Sequence, residues 1–198
     1  MSTSLTTISS DLTRVSKAVS LCRNRWVLSI DSDEEVTAEL QAAISALPEE
    51  PTEAAFAVNR LSRFLGKWVK HCGWHPEYVV RLFDQQRAGF NDKHVHEAIE
   101  TLGSVGRLSG LMKHYTYETM EQYLEKLNRY TTLAAEQMHA EGRSTNLWQA
   151  ATRAHATYWR MYILQGGIFD GATGVILCLA SGFSVLAKYV KLWRMGNR

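Results

Sequence analysis

The 198-residue chain contains only three cysteines and three prolines, and neither sign of charge is in large excess. The three cysteines, Cys22, Cys72 and Cys178, lie too far apart in sequence to indicate a zinc or redox pair, which favours a reducing compartment. A net charge of +2 is too small to indicate a nucleic-acid partner. The first 21 residues are polar and lack the apolar core of a secretory signal, so we expect a cytoplasmic protein.

Long hydrophobic runs are also scarce. The uncharged run at 171–187 has 17 residues, fewer than the roughly 20 that a spanning helix needs, and it contains three glycines. Basic residues follow it without an acid, and tryptophan, tyrosine and arginine mix in the helical pattern before it. This pattern predicts an interfacial helix on the inner face of the cytoplasmic membrane. A spanning helix, or helices that simply cover the rest of the fold, are the alternatives.

The order of local patterns predicts an α/β part followed by helices. Short apolar runs at 25–30, 54–69 and 78–84 are typical of strands, and apolar residues at helical spacing begin at Leu40. From Glu118 the spacing of apolar residues becomes that of an amphipathic helix, and a second helical pattern lies at 146–164. We therefore expect a residual N-terminal segment at 1–24, an α/β part at 25–116 and a helical extension at 117–198.

Two acids end the first strand pattern, in "WVLSIDSDEEV". Side chains two apart on an extended chain point to the same face, so Asp31 and Asp33 are candidate ligands for Mg²⁺ or Mn²⁺. The strand end is also where ligands bind in open α/β sheets. The alternative is that these acids only stabilise the first turn of the following helix.

Several motifs in the same order resemble family 2 glycosyltransferases of GT-A fold, and especially the bacterial group that extends the lipopolysaccharide core. They are "WVLSIDSDEEV", "KWVKHCGWHPEYVVRLFD", "HVHEAIETLG", "MKHYTYETMEQYLEKLNRYT" and "GGIFDG", spread over residues 25–195. The resemblance implies a partial GT-A (nucleotide-diphospho-sugar transferase) fold with an α-helical C-terminal extension. It also implies a nucleotide-sugar donor and a lipid-linked glycan acceptor.

The resemblance assigns roles position by position. Asp31 and Asp33 match the metal-binding Asp-x-Asp, and His114 matches a late histidine that completes the metal site. Glu97 in "VHE" matches the catalytic acid. Residues that match positions around the donor and acceptor are Gly73, Trp74, His75, Arg81 and His96.

The implied chemistry explains these residue types. A divalent cation neutralises the diphosphate leaving group, and one carboxylate takes the proton from the acceptor hydroxyl, so the anomeric configuration inverts. Each residue also has a plainer interpretation: Glu97 as a surface acid, Arg81 as a partner of Asp84, and Trp74 as core. A zinc cluster is disfavoured because the spacings match no standard pattern; its members would be His71, His75, His94 and His96.

One part of the family pattern is missing before the Asp-x-Asp. Members usually carry several βα units there, which hold the base and ribose and place the Asp-x-Asp strand between parallel neighbours. Only about 25 residues precede it in this chain, so we expect that strand to have an exposed edge. The interpretations are a late start site, a frameshift or a shortened protein. A catalytically inactive, membrane-associated remnant is therefore the alternative function.

Overall fold

The computed structural model describes Val19, residues 21–90 and residues 99–197 of the chain. These residues divide into two compact units. The described residues of the first unit lie within 19–61 and 76–114, and those of the second lie within 62–75 and 115–197. The fold is mixed α/β, as predicted, with strands early in the chain and long helices at its end. The three predicted domain boundaries stay a prediction.

Most strands join a single six-stranded sheet, in the order β1-β5-β3-β8-β2, with β4 beside β3. The strands are β1 (Trp26–Leu28), β2 (Glu34–Val36), β3 (Ala55–Phe64), β4 (Lys67–Trp68), β5 (Glu77–Asp84), β6 (Ala88–Phe90), β7 (Ile99–Thr101) and β8 (Val105–Tyr117). β6 and β7 pair with each other in a small second sheet. The strands predicted at 54–69 and 78–84 are confirmed as β3–β4 and β5.

β1 is shorter than predicted and lies at the end of the strand order. It pairs with β5 in an antiparallel register, with Val27 opposite Phe83. The pairs β3–β5, β3–β4 and β2–β8 are antiparallel as well. The strand that precedes Asp31 therefore has an antiparallel neighbour rather than the parallel ones typical of the resembling family.

Helix α1 (Ala38–Ser45) packs on the apolar part of this sheet. Thr37 caps its N-terminus, and its hydroxyl accepts a hydrogen bond from the Leu40 N–H, at 3.3 Å. Gly110 of β8 has φ +88°, and a Cβ there would lie 2.4 Å from the Leu40 nitrogen, so only glycine allows this approach. The core of the first unit consists of Leu40, Phe56, Val58, Leu82, Leu108 and Met112.

The second unit is built mainly from α2 (Met120–Ala140), α3 (Leu147–Trp159) and α4 (Gly171–Gly196). A π-helical turn at Arg160–Leu164 continues α3 directly, so the helix predicted at 146–164 is confirmed, and a 3₁₀ turn at Gly167–Asp170 leads into α4. Its main core contains Phe64, Val69, Cys72, Tyr123, Leu127, Met161, Leu177 and Cys178. The amphipathic patterns after Glu118 predicted these helices correctly because their apolar positions repeat at helical spacing.

A buried acid anchors the edge of the first unit's sheet. The Asp84 side chain is fully buried and accepts hydrogen bonds from Arg25 Nη2 at 2.7 Å and Nε at 2.9 Å. The hydrogen bond from Arg25 lowers the pKa of the Asp84 carboxyl, although burial opposes the shift. A lowered pKa in the folded state means that the ionised carboxylate stabilises the fold.

We predict that Arg25→Met makes the protein more sensitive to acid. The stability that Asp84 contributes is present above its unfolded pKa of about 4 and is lost as the pH falls through its lower folded value. Without Arg25 that folded pKa rises, so the midpoint of acid unfolding, followed by circular dichroism, moves to higher pH. Arg143→Met is the matched control, because Arg143 pairs with Glu141 at 3.9 Å on an exposed helix end. Equal acid midpoints for the two variants would contradict the assignment.

Candidate functional site

One face of the sheet in the first unit changes from apolar to charged along its length. Between β3 and β5, the pair Val58–Val79 is followed two residues later by the pair Arg60–Glu77. Alternate residues of a strand point to the same face, so Arg60 and Glu77 continue the face that carries the apolar core. Arg60 donates two hydrogen bonds to the Glu77 carboxylate, at 2.9 and 3.0 Å.

The strand pair β2–β8 repeats this change. Val36 lies opposite Met112 in the apolar part, and Glu34 lies opposite His114 two residues away. The Glu34 side chain is fully buried, and its Oε1 lies 3.6 Å from Arg60 Nη1. Charged side chains from three strands therefore meet at the same end of the sheet.

Arg81 reaches the same place because it is the extra residue of a β-bulge. Phe56 pairs with Leu82 and Ala57 pairs with Val80, so Arg81 is inserted between two consecutive partners of β3. Bulges redirect side chains and occur often beside functional sites. The Arg81 Nη2 donates to Asp31 Oδ2 and to Glu34 Oε1, both at 2.6 Å.

The turn between β1 and β2 holds the two predicted metal ligands. The Glu34 N–H donates to the Asp31 carbonyl at 3.0 Å, and the Asp31 N–H donates to Glu34 Oε2 at 3.1 Å. Asp33 projects from the same turn, and its Oδ2 lies 3.2 Å from His114 Nε2. Asp31 and Asp33 are each about half exposed, whereas the Glu34 side chain between them in the network is buried.

We call this group the charged cluster; its members are Asp31, Asp33, Glu34, Arg60, Glu77, Arg81 and His114. Burial, followed by the nearby Arg60, lowers the pKa of His114, and this outweighs the opposing effects of Asp33 and Glu34. His114 is therefore neutral at neutral pH. Four carboxylates then face two guanidinium groups, which leaves a surplus of two negative charges.

The donor atoms of the charged cluster fit a hard divalent cation. Half-exposed carboxylates and a neutral imidazole are suitable ligands, and Mg²⁺ or Mn²⁺ binds through one or two carboxylates plus water and phosphate oxygens. Asp33 and His114 are already adjacent, whereas Asp31 is turned towards Arg81. Within the described residues, no group of three or more acidic, histidine or cysteine side chains is arranged as a complete metal site.

The structure thus brings Asp31, Asp33, Arg81 and His114 into one cluster. The interpretation that the acids only begin a helix is wrong, because Glu34–Val36 is a strand and α1 starts at Ala38. The alternative pairing of Arg81 with Asp84 is also wrong, since Asp84 binds Arg25. Glu97 and His96 lie outside the described residues.

The other predicted binding residues, Gly73, Trp74 and His75, belong to the second unit. Cys72 and Gly73 both have positive φ, at 59° and 73°, which sets a tight loop. Trp74 packs edge-on against Phe64, with ring centroids 5.9 Å apart, so it contributes to the core as its plainer interpretation predicted. Their roles in binding donor or acceptor stay predictions.

Asp170 holds this loop against the start of α4. Its carboxylate accepts from the backbone N–H of His71 at 2.9 Å, and its Oδ1 lies 2.9 Å from His71 Nδ1. Cys72 and Cys178 are both buried with their sulfurs 3.8 Å apart, and burial raises the pKa of both thiols, which keeps them protonated. The pairing of His71 with Asp170 explains this histidine without the zinc cluster.

Three members of the charged cluster were missed by the sequence interpretation: Glu34, Arg60 and Glu77. The alternation of Glu34 with Val36 is a strand signal, but three residues are too few to separate it from an acidic helix start. Arg60 is a charged residue within the apolar pattern of a strand. That interruption is the signal that could have indicated a charged position on the inner face of the sheet.

Comparison with known proteins gives distant relatives. No family model matches the chain. An uncharacterized glycosyltransferase of Rickettsia typhi is 27% identical over 192 residues, covering 88% of this chain and 65% of the relative. An uncharacterized glycosyltransferase of Rickettsia prowazekii is also 27% identical and covers 86% and 64%. The lipopolysaccharide core biosynthesis glycosyltransferase LpsC of Rhizobium meliloti is 23% identical and covers 87% and 67%.

These relatives extend along nearly all of this chain, and all three are named glycosyltransferases. The chain itself spans slightly less than two thirds of the length of the two Rickettsia proteins. The similarity therefore supports a relationship to glycosyltransferases, and it does not distinguish between types of glycosyltransferase.

We predict that Arg81→Gln destabilises the first unit by about 3 kcal/mol, because it leaves the buried Glu34 carboxylate without its closest counter-charge. The matched control is Lys113→Gln, which removes the 3.0 Å partner of the neighbouring Glu35 on the exposed face. A surface ion pair is worth about 0 to 1 kcal/mol, so the control should lose little. Urea unfolding measures both variants, and similar losses of unfolding free energy would refute the special role of Arg81.

Proposed function

We propose that this chain is a glycosyltransferase that moves a sugar from a nucleotide-sugar to a lipopolysaccharide-core or other envelope glycan. The charged cluster carries the proposal, since it combines paired aspartates, a neutral histidine and an arginine around a surplus of negative charge. The names of the relatives support the reaction class, and LpsC supports the choice of acceptor.

The proposed cofactor is Mg²⁺ or Mn²⁺. Asp33 and His114 are the nearest pair of donors and would hold the cation, with Asp31 as a third ligand once its carboxylate turns from Arg81. When bound, the cation supplies charge neutralisation for the diphosphate that leaves. Arg81 keeps Asp31 in the turn and provides a second positive charge for the donor.

The proposed mechanism is a single displacement with inversion. Glu97 accepts the proton of the acceptor hydroxyl as that oxygen attacks the anomeric carbon. This assignment rests on the motif "VHE", where the resembling family has its catalytic acid. Gly73, Trp74, His75 and His96 are the proposed contacts to the sugar and acceptor, again by resemblance.

The proposed acceptor is linked to a lipid, which places the reaction at the inner face of the cytoplasmic membrane. Nucleotide-sugars are the proposed donors, and their anionic diphosphate explains why a cation and an arginine belong to the site. The alternative, a chain without catalytic activity, predicts no transfer from any donor.

We predict that Glu97→Gln lowers the rate of transfer by about 10² to 10⁴-fold and leaves donor affinity unchanged, because it removes only the proton acceptor. The assay follows radiolabelled sugar from a panel of nucleotide-sugars into a lipid-linked core oligosaccharide, with donor affinity measured by calorimetry. Glu100→Gln is the control, since Glu100 is an exposed acid three residues away. Full transfer by Glu97→Gln would remove Glu97 from the mechanism.

We also predict that Asp33→Asn weakens Mn²⁺ binding by about tenfold or more, because it removes a carboxylate ligand. Electron paramagnetic resonance of free Mn²⁺ reports binding without any transfer assay. Glu35→Gln makes the same change of charge on the exposed face of β2 and should bind as the parent chain does. Equal affinities in all three proteins would place the metal elsewhere.

A further inference from the structure

An apolar surface lies along α4 on the side that contacts neither of its neighbouring helices. Its members on or just before α4 are Phe169, Ile176, Leu179, Phe183 and Val190, and all are exposed. Their spacing of three, four or seven residues keeps them on one side of the helix, over a length of about 30 Å. Leu179 is 57% exposed and Phe183 is 53% exposed. Single exposed apolar side chains are common, so the informative feature is that five of them share one side of the helix.

The other two sides of α4 are covered by α3 and α2. Towards α3 the helices approach so closely that a Cβ on Gly182 would lie 3.1 Å from the Ala154 carbonyl oxygen. Towards α2, Lys191 Nζ donates to the Asn128 carbonyl at 2.9 Å and to the Thr131 hydroxyl at 2.8 Å. The apolar residues lie on the remaining side of the helix.

Two tryptophans on α3 are exposed as well. Trp148 is 76% exposed and Trp159 is 51% exposed, and eleven residues, or about three turns, place them on the same side of α3. A groove lined by Arg153, Arg160 and Lys188 occupies the opposite side of the α3–α4 pair. We call Trp148, Trp159 and the five residues of α4 the apolar face.

A spanning arrangement conflicts with the packing of α4. By length and composition, the stretch Gly167–Gly196 is the one described helix suited to crossing a membrane. Yet α4 packs against α2, which carries Glu121, Glu125, Lys126, Arg129 and Glu136. Each charge at the centre of a bilayer costs about 2.5 to 3.5 kcal/mol, so α2 excludes hydrocarbon from that side of α4. A helix with one apolar side belongs at the interface.

The charge of the same region matches an anionic surface. From Gly142 to the end of the chain there are seven basic residues and one acid, whereas the preceding 141 residues have 15 basic and 19 acidic residues. The single acid, Asp170, is nearly buried and engaged with His71. Arg194, which is exposed, follows the apolar face at its C-terminal end. Arg194 is four residues after Val190 and so lies on the same side of α4, whereas Arg153, Arg160 and Lys188 line the groove on the opposite side. The cytoplasmic leaflet attracts a Lys or Arg near its surface with about 1 kcal/mol.

We propose that the apolar face docks on an anionic lipid bilayer, with α4 in the membrane plane and Trp148 and Trp159 at headgroup level. The inference deepens the proposed peripheral location by assigning the surface and the mode of contact. It also makes the bilayer, rather than a second copy of the chain, the occupant of the apolar face.

The test is co-sedimentation of the full chain with vesicles of phosphatidylcholine alone or with 30 mol% phosphatidylglycerol, roughly the anionic fraction that gives a clearly negative surface. We expect binding to the anionic vesicles that weakens about tenfold or more in Leu179→Asp. Leu133→Asp, which changes a residue of α2 that is 50% exposed and lies outside the apolar face, should bind as the parent does. Circular dichroism confirms that both variants fold.

A second variant and two further measurements, carbonate extraction and the oligomeric state without vesicles, complete the test. Arg194→Gln should weaken binding by about fivefold at low salt. Equal losses in Leu179→Asp and Leu133→Asp, or no binding to anionic vesicles, would overturn the proposal. Resistance to carbonate extraction would show that α4 inserts into the bilayer rather than docking on it. A dimer that forms without vesicles and is broken only by Leu179→Asp would identify a second copy of the chain as the occupant of the apolar face. No nucleotide-sugar is present, so these results are independent of the transferase assays.

Discussion

The buried carboxylate of Glu34 is the constraint on which the first unit depends. An ionised carboxylate inside a sheet costs several kcal/mol unless opposite charges and hydrogen bonds surround it. Arg81 and Arg60 supply those charges from β5 and β3, and the Asp31 N–H supplies a further hydrogen bond. The bulge in β5, the turn before β2 and the change from apolar to charged side chains on one sheet face are all needed to satisfy this single group.

This constraint also explains why two acids remain available. Glu34 occupies the guanidinium groups in the interior, while Asp31 and Asp33 project from the same turn and stay half exposed. Asp31 shares Arg81 with Glu34, and Asp33 lies 3.2 Å from the neutral His114. A cation that arrives at this turn therefore finds carboxylates that the fold holds in position without burying them.

Much of the fold was predictable from local pattern, and part of the site was not. β3, β5 and the three long helices carry apolar spacing over eight or more residues, which local chemistry fixes. The three-residue strand at Glu34 depends on pairing with His114, 80 positions along the chain, and the bulge at Arg81 depends on the register with β3. Such contacts leave no local signal. The family resemblance supplied Asp31, Asp33, Arg81 and His114, and the structure supplied Glu34, Arg60 and Glu77.

The distribution of charge argues for a divalent cation in the proposed reaction. The charged cluster has two more negative than positive charges when His114 is neutral, and a nucleotide-sugar brings a diphosphate of the same sign. At close range these groups repel each other, and Arg81 alone cannot reverse the sign because Asp31 and Glu34 already share it. A dipositive ion held by Asp33 and His114 would supply the positive charge that offsets this surplus. The stretch from Gly142 to the end of the chain has seven basic residues and one acid, so it needs no such ion to approach an anionic membrane. The two proposed anionic partners therefore meet different electrostatic conditions in the same chain.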